Sequence, residues 1–371
     1  MTSTASTAPP GLLVFQPKPD RPPPLQTVGV VGWLRNNLFN GWYNSLLTIL
    51  ILLLLVKVVP PLFSWALFDA VWTGGRDACT AGNDGACWVF VADKFRVLMV
   101  GMYPAEHLTR PILAGILFVV LSALSIFRLF SARKLVLLWV VGTAGCFWLI
   151  NGGWGLTVVD QSLWGGLMLS LGLAVIGIMV SIPLGILLAL GRYSQLSVIR
   201  ALCVGIIEPI RGVPLITILF MASVMLPLFL PVGMEINNML RVQIGIILFS
   251  AAYMAEVVRG GLQAIPAGQY DAAKSLGLNY WKTTVLVVLP QALRHVIPSM
   301  INRCIALFKD TSLVIIVGLL DFLGMTRASI QDPNWLGFDA EAYVFCAFVY
   351  WVICFSMSRY GRSLERQGGN E

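Results

Sequence analysis

The chain has 371 residues, of which 57% are hydrophobic and only 12% are charged. Soluble domains carry about 25% charged residues, so the composition predicts an integral membrane protein and excludes an ordinary soluble domain. The formal net charge is +7. Basic residues nevertheless stand singly between apolar runs, without the basic and aromatic face that binds nucleic acid, so no nucleic-acid partner is expected.

The beginning of the chain differs from the rest. The stretches MTSTASTAPP and PKPDRPPP are poor in apolar residues and rich in proline, and such segments cannot bury enough surface to fold alone. We therefore expect a disordered cytoplasmic tail over residues 1–40.

Long apolar runs follow one another after this tail. A helix needs roughly 20 apolar residues to cross about 30 Å of hydrocarbon, and the runs lack the alternation of barrel strands. The sequence therefore predicts an all-α integral membrane protein with about eight transmembrane helices. The predicted spans are approximately 43–67, 112–130, 135–150, 165–190, 201–228, 242–258, 296–319 and 342–357.

Lysine and arginine positions predict the orientation of these spans. With the N-terminus in the cytoplasm, fifteen of the 25 basic residues fall in inner segments and six in outer segments. Cytoplasmic loops carry the excess of Lys and Arg in membrane proteins, so we expect a multi-pass protein with both termini cytoplasmic. The acid-rich outer loop between the first two spans is long enough to be partly exempt from this rule.

Two of the seven cysteines lie outside the apolar runs. Cys79 and Cys87 flank the turn-forming stretch TAGNDGA in the predicted outer loop, where an oxidising periplasm could join them or leave them free. The only histidines, His107 and His295, are far apart and on opposite predicted sides, so no metal site is expected. Because no GxSxG or GxxxxGK motif occurs, the chain is not expected to hydrolyse ATP by itself.

The stretch QYDAAKSLGLNYWKTTVLVVLP lies in the largest predicted cytoplasmic loop between spans. Pro266 suits the first turn of a helix and Gly277 suits the left-handed position that ends one, which predicts a short helix over 267–276. Asn279 is placed to cap a second helix. The plain alternative is an amphipathic connector on the lipid headgroups, although Asp271 would bring an acid toward an anionic surface.

The spacing in this loop resembles a known motif. Asp271-Ala272-Ala273, then Gly277, then Leu289-Pro290 resemble the EAA loop of ABC importer permeases, with Asp271 and Val287 standing where the family usually has Glu and Ile. The segments EPIRGVPLI and FKDTSLVIIVGLLDFLG resemble the polar and general amino-acid branch of these importers. Residues 1–159 resemble the extra part of the longer, M-type permease of the general L-amino-acid importer.

The resemblance implies a division of the chain and a mechanism. It implies a type I ABC permease core of five helices over 160–366 with a coupling loop at 259–295, preceded by an extension over 41–159 with three spans and a long periplasmic loop. The expected contacts to a cytoplasmic ATPase are Gln269, Asp271, Ala272, Ala273, Gly277, Leu289 and Pro290.

The same resemblance implies partners. A separate ABC ATPase dimer would hold ATP and Mg, so this chain would carry no cofactor and would not be an enzyme. A second homologous permease would complete the pathway, most simply as a heterodimer, and a periplasmic amino-acid-binding protein would deliver substrate at the inner membrane of a bacterium.

Ionisable residues inside predicted spans are functional candidates by default. Glu208 and Arg211 stand three residues apart beside Pro209 and Pro214, and form either an internal ion pair at a kink or part of the permeation path. Glu256 and Arg259 repeat this spacing near an inner end and are interpreted as a structural pair. The candidate translocation path consists of Glu208, Arg211, Lys309, Asp310, Thr311 and Ser312.

Two other functional classes are alternatives to the permease of an amino-acid importer. A self-sufficient secondary transporter or channel would predict internal repeats, but the first three spans look unlike the rest. A membrane enzyme would need an acid, base or metal cluster at one membrane face, and none is apparent in the sequence.

Overall fold

The computed structural model describes residues 29–80, 84–127, 129–231 and 233–368. Within these ranges the regular structure is helical and only isolated β-bridges occur, which confirms the all-α prediction. The helices are α1 Gly29–Asn37, α2 Trp42–Phe63, α3 Arg76–Thr80, α4 Trp88–Val100, α5 Thr109–Phe127, α6 Ala132–Asn151, α7 Gly166–Tyr193, α8 Ser197–Gly212, α9 Leu215–Phe220, α10 Asn238–Gln263, α11 Ala267–Ser275, α12 Tyr280–Lys282, α13 Leu289–Asp310, α14 Phe322–Ile330 and α15 Asp339–Gly368.

The end of the segment predicted as a disordered tail is helical in the structure. Residues 1–28 lie outside the described residues, but Gly29–Asn37, which we had assigned to the tail, form helix α1. The reason is local, because GVVGWLR is apolar and free of proline, unlike the segment before it.

The number of spans differs from the predicted eight. Six helices in the described part of the chain are long and apolar enough to cross a membrane, namely α2 with its extension to Phe68, α5, α6, α7, α10 and α15. The pair Ser197–Gly212 and Leu215–Phe229 makes a seventh if it counts as one span, although it bends by 109°. The count of eight is therefore not confirmed.

Two predicted runs are broken where polar or proline residues stand. The run 201–228 bends between Gly212 and Leu215, where Pro214 has no N–H to continue the hydrogen-bond ladder. The run 296–319 is divided at Asp310, where α13 ends and a tighter turn, Thr311–Val317, begins. Hydropathy alone placed each of these runs as one span.

The chain divides into two compact units, Met1–Ala70 with Asp84–Ala86, and Val71–Asn83 with Cys87–Glu371. In the first unit α2 has no buried residue, and its leucines and valines are exposed, as a lipid-facing helix requires. The sequence boundary at residue 159 stays a prediction.

The core of the second unit is the contact between α7 and α10. Small residues permit this close approach: a Cβ at Gly185 would lie 2.6 Å from Cβ of Met254 and 3.0 Å from the carbonyl oxygen of Ala251. A Cβ at Gly261 would lie 2.6 Å from the carbonyl oxygen of Ala292 on α13. Helices α7, α10 and α13 thus form a tight group that holds the charged residues described below.

A segment around α3 and α4 packs against the beginning of α15 within the same unit. Cys79 and Cys87 form a disulfide with 5.7 Å between their Cα atoms. The Cys87 N–H donates to Oε1 of Glu341 at 3.0 Å. Lys94 Nζ lies 2.6 Å from Oδ2 of Asp332, and this hydrogen bond lowers the pKa of Asp332. The disulfide therefore closes the segment on itself, and the polar contacts to Glu341 and Asp332 fix it to the rest of the unit.

Candidate functional site

The loop helix α11 has clearly defined ends. It runs over Ala267–Ser275 after Pro266, as predicted except that it ends one residue earlier. Gly277 has φ +74°, and its N–H donates to the carbonyl of Lys274 at 2.9 Å while the Leu278 N–H donates to Ala273 at 3.1 Å. This is the left-handed cap that favours glycine. A Cβ at Gly277 would meet no atom within 4 Å, so the position is open.

A second helical run begins shortly after this cap and continues into α13. The Asn279 side chain accepts the Lys282 N–H at 2.9 Å, which confirms the predicted cap of a second helix. A π-helical segment, Thr283–Val288, follows and runs directly into Leu289 and Pro290 at the start of α13. Helical backbone therefore runs from Tyr280 into α13, and the four residues 276–279 connect it to α11.

The predicted contact residues of the loop divide between two faces. Ala273 is buried against the bundle, and Gln291 on α13 donates to Oε1 of Gln269 at 3.1 Å. Asp271 and Ala272 are exposed on the other side. Three large apolar side chains nearby are also exposed, namely Leu276 (80%), Trp281 (67%) and Leu286 (65%). We call Asp271, Ala272, Leu276, Gly277 and Trp281 the loop face.

A cavity of about 350 Å³ separates part of the loop from the bundle. Tyr193, Tyr270, Lys274 and Thr284 are among its lining residues. Burial, with a smaller effect from the Tyr193 hydroxyl, raises the pKa of Tyr270 to about 12, so this phenol stays protonated at neutral pH.

A row of aromatic and charged side chains lies along one face of α10. Phe249, Tyr253 and Glu256 follow an i, i+4, i+7 spacing and so lie on one side of the helix, covering about 10 Å along its axis. Arginines from three other helices face them. We call this arrangement the polar stripe; its members are Arg192, Glu208, Arg211, Phe249, Ser250, Tyr253, Glu256, Arg259, Arg303 and Asp310.

Glu256 is the centre of one end of the polar stripe. Its carboxylate oxygens lie 3.3 Å from Arg192, 3.2 Å from Arg211 and 2.8 Å from Nε of Arg259. Glu208 lies 2.8 Å from Arg192 and 4.0 Å from Arg211. Three arginines and two glutamates give this end a formal charge of +1.

The sequence interpretation of these pairs is partly correct. The Glu256–Arg259 pair is present, but Glu208 and Arg211 are 4.0 Å apart and the short contact of Glu208 is with Arg192. Sequence reasoning missed Arg192 because it lies on α7, and only the packing of α7 against α8 and α10 brings it here.

Arg303 occupies the other end of the polar stripe. Its guanidinium carbon lies 5.2 Å from the ring centre of Phe249 and 4.6 Å from that of Tyr253. Its Nη2 lies 3.5 Å from Oγ of Ser250 and 3.5 Å from Oδ2 of Asp310, both long contacts. Its Nε is buried and has no hydrogen-bond partner among the described residues. The sequence pattern did not indicate a role for Arg303.

The four consecutive residues predicted to line a path have different surroundings. Asp310 belongs to the polar stripe through Arg303. Thr311 is fully buried and donates its hydroxyl hydrogen to the carbonyl of Phe308 at 2.8 Å. Ser312 donates to the carbonyl of Lys309 at 2.8 Å, and Lys309 is exposed. In this conformation the two hydroxyls therefore donate to their own helix.

A buried carboxylate that sequence reasoning did not select lies at the start of α14. Asp321 accepts the N–H of Gly324 at 2.9 Å and of Leu323 at 3.3 Å, and the Tyr350 hydroxyl donates to it at 3.2 Å. Ser170 on α7 lies 3.5 Å away. The signal was an acid directly before an apolar helix, which is typical of an N-cap, and the role is structural.

Six helices in the described residues that are long and apolar enough to cross a membrane, with charged side chains among them, define a polytopic membrane protein. Residues 181–367 match the family described as "Binding-protein-dependent transport system inner membrane component", and the chain belongs to this family. It is a permease subunit of an amino-acid ABC importer of the inner membrane, as the loop motif predicted.

Two relatives that are similar over nearly the whole chain agree with this assignment. The inner membrane amino-acid ABC transporter permease protein YhdY of Escherichia coli (strain K12) is 49% identical, over 94% of this chain and 96% of that protein. The glutamate/glutamine/aspartate/asparagine transport system permease protein BztC of Rhodobacter capsulatus is 38% identical, over 94% of this chain and 95% of that protein. A crystal structure of an amino acid ABC transporter with histidines is 29% identical over 54% of this chain and 92% of that chain, with a TM-score of 0.49.

Proposed function

We propose that this subunit carries polar or general L-amino acids into a bacterial cell and is driven through α11 by a separate ABC ATPase dimer, which binds ATP and Mg. A second, homologous permease subunit completes the pathway as a heterodimer. A periplasmic amino-acid-binding protein delivers the substrate. Both termini are cytoplasmic in this proposal.

The geometry of α11 is the observation that carries the proposal. A helix that begins directly after Pro266, ends at the Gly277 cap, is buried on one side at Ala273 and is hydrogen bonded to α13 through Gln269 behaves as a rigid body. The loop face exposes Leu276 and Trp281, and exposed apolar side chains of this size in a polar loop favour a protein interface. Movement of an ATPase against this face would reach α13 as a rigid-body motion.

The polar stripe and the similar proteins support the substrate class. The stripe combines arginine and carboxylate side chains inside an apolar bundle, a combination suited to a zwitterion. Because BztC is a glutamate/glutamine/aspartate/asparagine transport permease, polar amino acids are the first substrates to test.

The positions of Lys and Arg support the orientation. Arg259, Lys274, Lys282 and Arg294 lie in or beside the α11 loop, and Arg359 and Arg362 lie near the end of α15. Basic residues accumulate on the cytoplasmic side of a bilayer. The same side would then hold both the loop face and the C-terminus.

Co-purification tests the proposal. The chain is co-expressed with the candidate ATPase and permease subunits, and the wild type is compared with Gly277→Glu. Gly337→Glu is the matched control, because Gly337 also has a positive φ (+98°) and open space around its Cβ but lies outside the α11 loop.

We expect the ATPase to co-purify with the wild type and the Gly337→Glu variant and to be lost or uncoupled in Gly277→Glu. Equal recovery and equal transport in all three proteins would contradict the role of α11. Uptake of amino acids by the chain without any ATPase would instead favour the alternative of a secondary transporter or channel.

A further inference from the structure

We propose that Arg303 binds the α-carboxylate of the transported amino acid and that Asp310 receives its ammonium group. This inference rests on the proposed amino-acid transport and deepens it, because it identifies where on this subunit the common part of all amino acids is recognised.

The aromatic clamp is the first argument. The guanidinium of Arg303 lies near the faces of Phe249 and Tyr253, whose own ring centres are 4.8 Å apart. Two rings beside one cation hold its plane in a fixed orientation and shield it from water. A fixed, planar guanidinium is the group best suited to bind a carboxylate through two parallel hydrogen bonds.

The unused hydrogen-bonding capacity of Arg303 is the second argument. A guanidinium has five N–H donors, yet the contacts of Arg303 to described residues are two interactions of 3.5 Å, both through Nη2. Charge-assisted hydrogen bonds between nitrogen and oxygen are normally about 2.7–2.9 Å long. Arg303 is therefore poorly satisfied by this chain and can bind an incoming anion more tightly than it binds Asp310.

The position of Asp310 is the third argument. Arg303 and Asp310 are separated by seven residues on α13, which places them on one face of the helix. An amino acid carries its carboxylate and ammonium on the same carbon atom, so the protein groups that bind them must be neighbours. Substrate inserted between the two side chains would replace one long ion pair by two shorter charge-assisted contacts.

Arg211 is a weaker candidate for this role although it lies 5.6 Å from the same Tyr253 ring. It is 3.2 Å from Glu256 and thus already paired. A carboxylate that approached Arg211 would compete with this contact, whereas at Arg303 the competing contact is long.

The test separates carboxylate recognition from stability. Glutamate, glutamine, aspartate and asparagine are first screened for ATP-dependent uptake by the reconstituted complex. The amino acid taken up fastest is then used as a radiolabelled probe of the permease–ATPase complex in nanodiscs without binding protein. The competing ligand is the amine with the same side chain and no α-carboxylate. The variants are Arg303→Gln, Arg303→Lys and, as a control, the exposed Arg362→Gln.

We expect Arg303→Gln to weaken binding of the amino acid by about 10- to 100-fold, the value of one charge-assisted interaction, and to leave binding of the amine unchanged. Arg303→Lys should lower the ratio of the two affinities less strongly, and Arg362→Gln should not change it. If the Arg303→Gln complex does not assemble, the ratio of amino-acid affinity to amine affinity in Arg303→Lys is the result that tests the inference.

Three results would overturn the inference while leaving amino-acid transport intact: an unchanged affinity ratio in the assembled Arg303 variants, equal weakening of amino acid and amine, or no saturable binding by a wild-type complex that transports the probe. Absence of ATP-dependent uptake of any amino acid would overturn the proposed function itself.

Discussion

Gln291 on α13 donates a hydrogen bond of 3.1 Å to Oε1 of Gln269 on α11, and so joins the loop helix to the bundle by side chains 22 residues apart. The contact is exposed, so its contribution to stability is small. In the proposed mechanism this contact couples the position of α11 to that of α13.

Removal of this hydrogen bond should uncouple transport from ATP hydrolysis without unfolding the subunit. Gln269→Ala is expected to cost at most about 0.5 kcal/mol of stability, since the contact is exposed, and to lower the number of amino acids transported per ATP hydrolysed. Gln161→Ala is the matched control, because Gln161 makes a similar side-chain amide contact of 3.1 Å with Asn151 away from the loop. Equal transport stoichiometry in both variants would argue against the role of the contact.

The two glutamates of the polar stripe should differ in importance. Glu256→Gln leaves Arg192, Arg211 and Arg259 without their common partner, and we expect it to destabilise the subunit by about 2–4 kcal/mol, less than a fully buried pair because the Glu256 side chain is 22% exposed. Glu208→Gln, at 49% exposure, should cost at most about 1 kcal/mol. Thermal unfolding of the two purified complexes measures the order, and the reverse order would contradict the account.

The disulfide should be detectable by counting thiols. After denaturation, a maleimide-polyethylene glycol reagent is expected to add five tags to Cys146, Cys203, Cys304, Cys346 and Cys354, and seven after reduction. Reduction should also lower the temperature of unfolding, since closing a short loop stabilises by about 2–3 kcal/mol. Seven tags without reduction, on protein purified from the inner membrane, would show that Cys79 and Cys87 are free.

Two glycines of α7 offer a matched pair for the packing of the bundle. Gly185→Ala places a Cβ 2.6 Å from Met254 and should cost about 1–3 kcal/mol through overpacking. Gly172→Ala meets nothing within 4 Å and should be neutral or stabilise by up to about 1 kcal/mol through helix propensity. The yield and unfolding temperature of the two variants test this, and similar values for both would contradict the α7–α10 contact.

The contact between Lys94 and Asp332 should make stability depend on pH. The hydrogen bond from Lys94 lowers the pKa of Asp332 below its unfolded value, so its stabilisation is complete above pH of about 4 and is lost as the pH falls through the lowered pKa. We expect Lys94→Gln to unfold at a lower temperature than the wild type at pH 6 and the difference to shrink toward pH 3. A difference that stays constant with pH would exclude this pair as its cause.

Much of the loop could be predicted from sequence because local residues decide it. Pro266, Gly277 and Asn279 determine helix ends through their own backbone preferences, and the structure places the helix ends within a residue of the predicted positions. Hydropathy located the apolar runs in the same way. It failed at Pro214 and Asp310, because composition does not show whether a polar or proline residue inside a run is tolerated or breaks the helix.

The polar stripe could be predicted only in part, because its contacts join distant residues. The spacing of Glu256 and Arg259 on one helix was enough to predict their pairing. Arg192 meets Glu256 across 64 residues and Arg303 meets Phe249 across 54, so both contacts depend on how α7, α10 and α13 pack. That packing depends on the glycine contacts of these helices. The sequence pattern does not show which helix each glycine contacts.

ATP-dependent uptake into proteoliposomes tests the central claim most directly. The subunit is reconstituted with its permease partner and ATPase, and uptake of radiolabelled L-glutamine, glutamate, aspartate and asparagine is measured with binding protein outside and ATP inside. The account predicts uptake that requires ATP, the ATPase and the binding protein, and that is lost in Gly277→Glu but retained in Gly337→Glu. Uptake by the chain without ATPase, driven by a proton or sodium gradient and unaffected by Gly277→Glu, would contradict it.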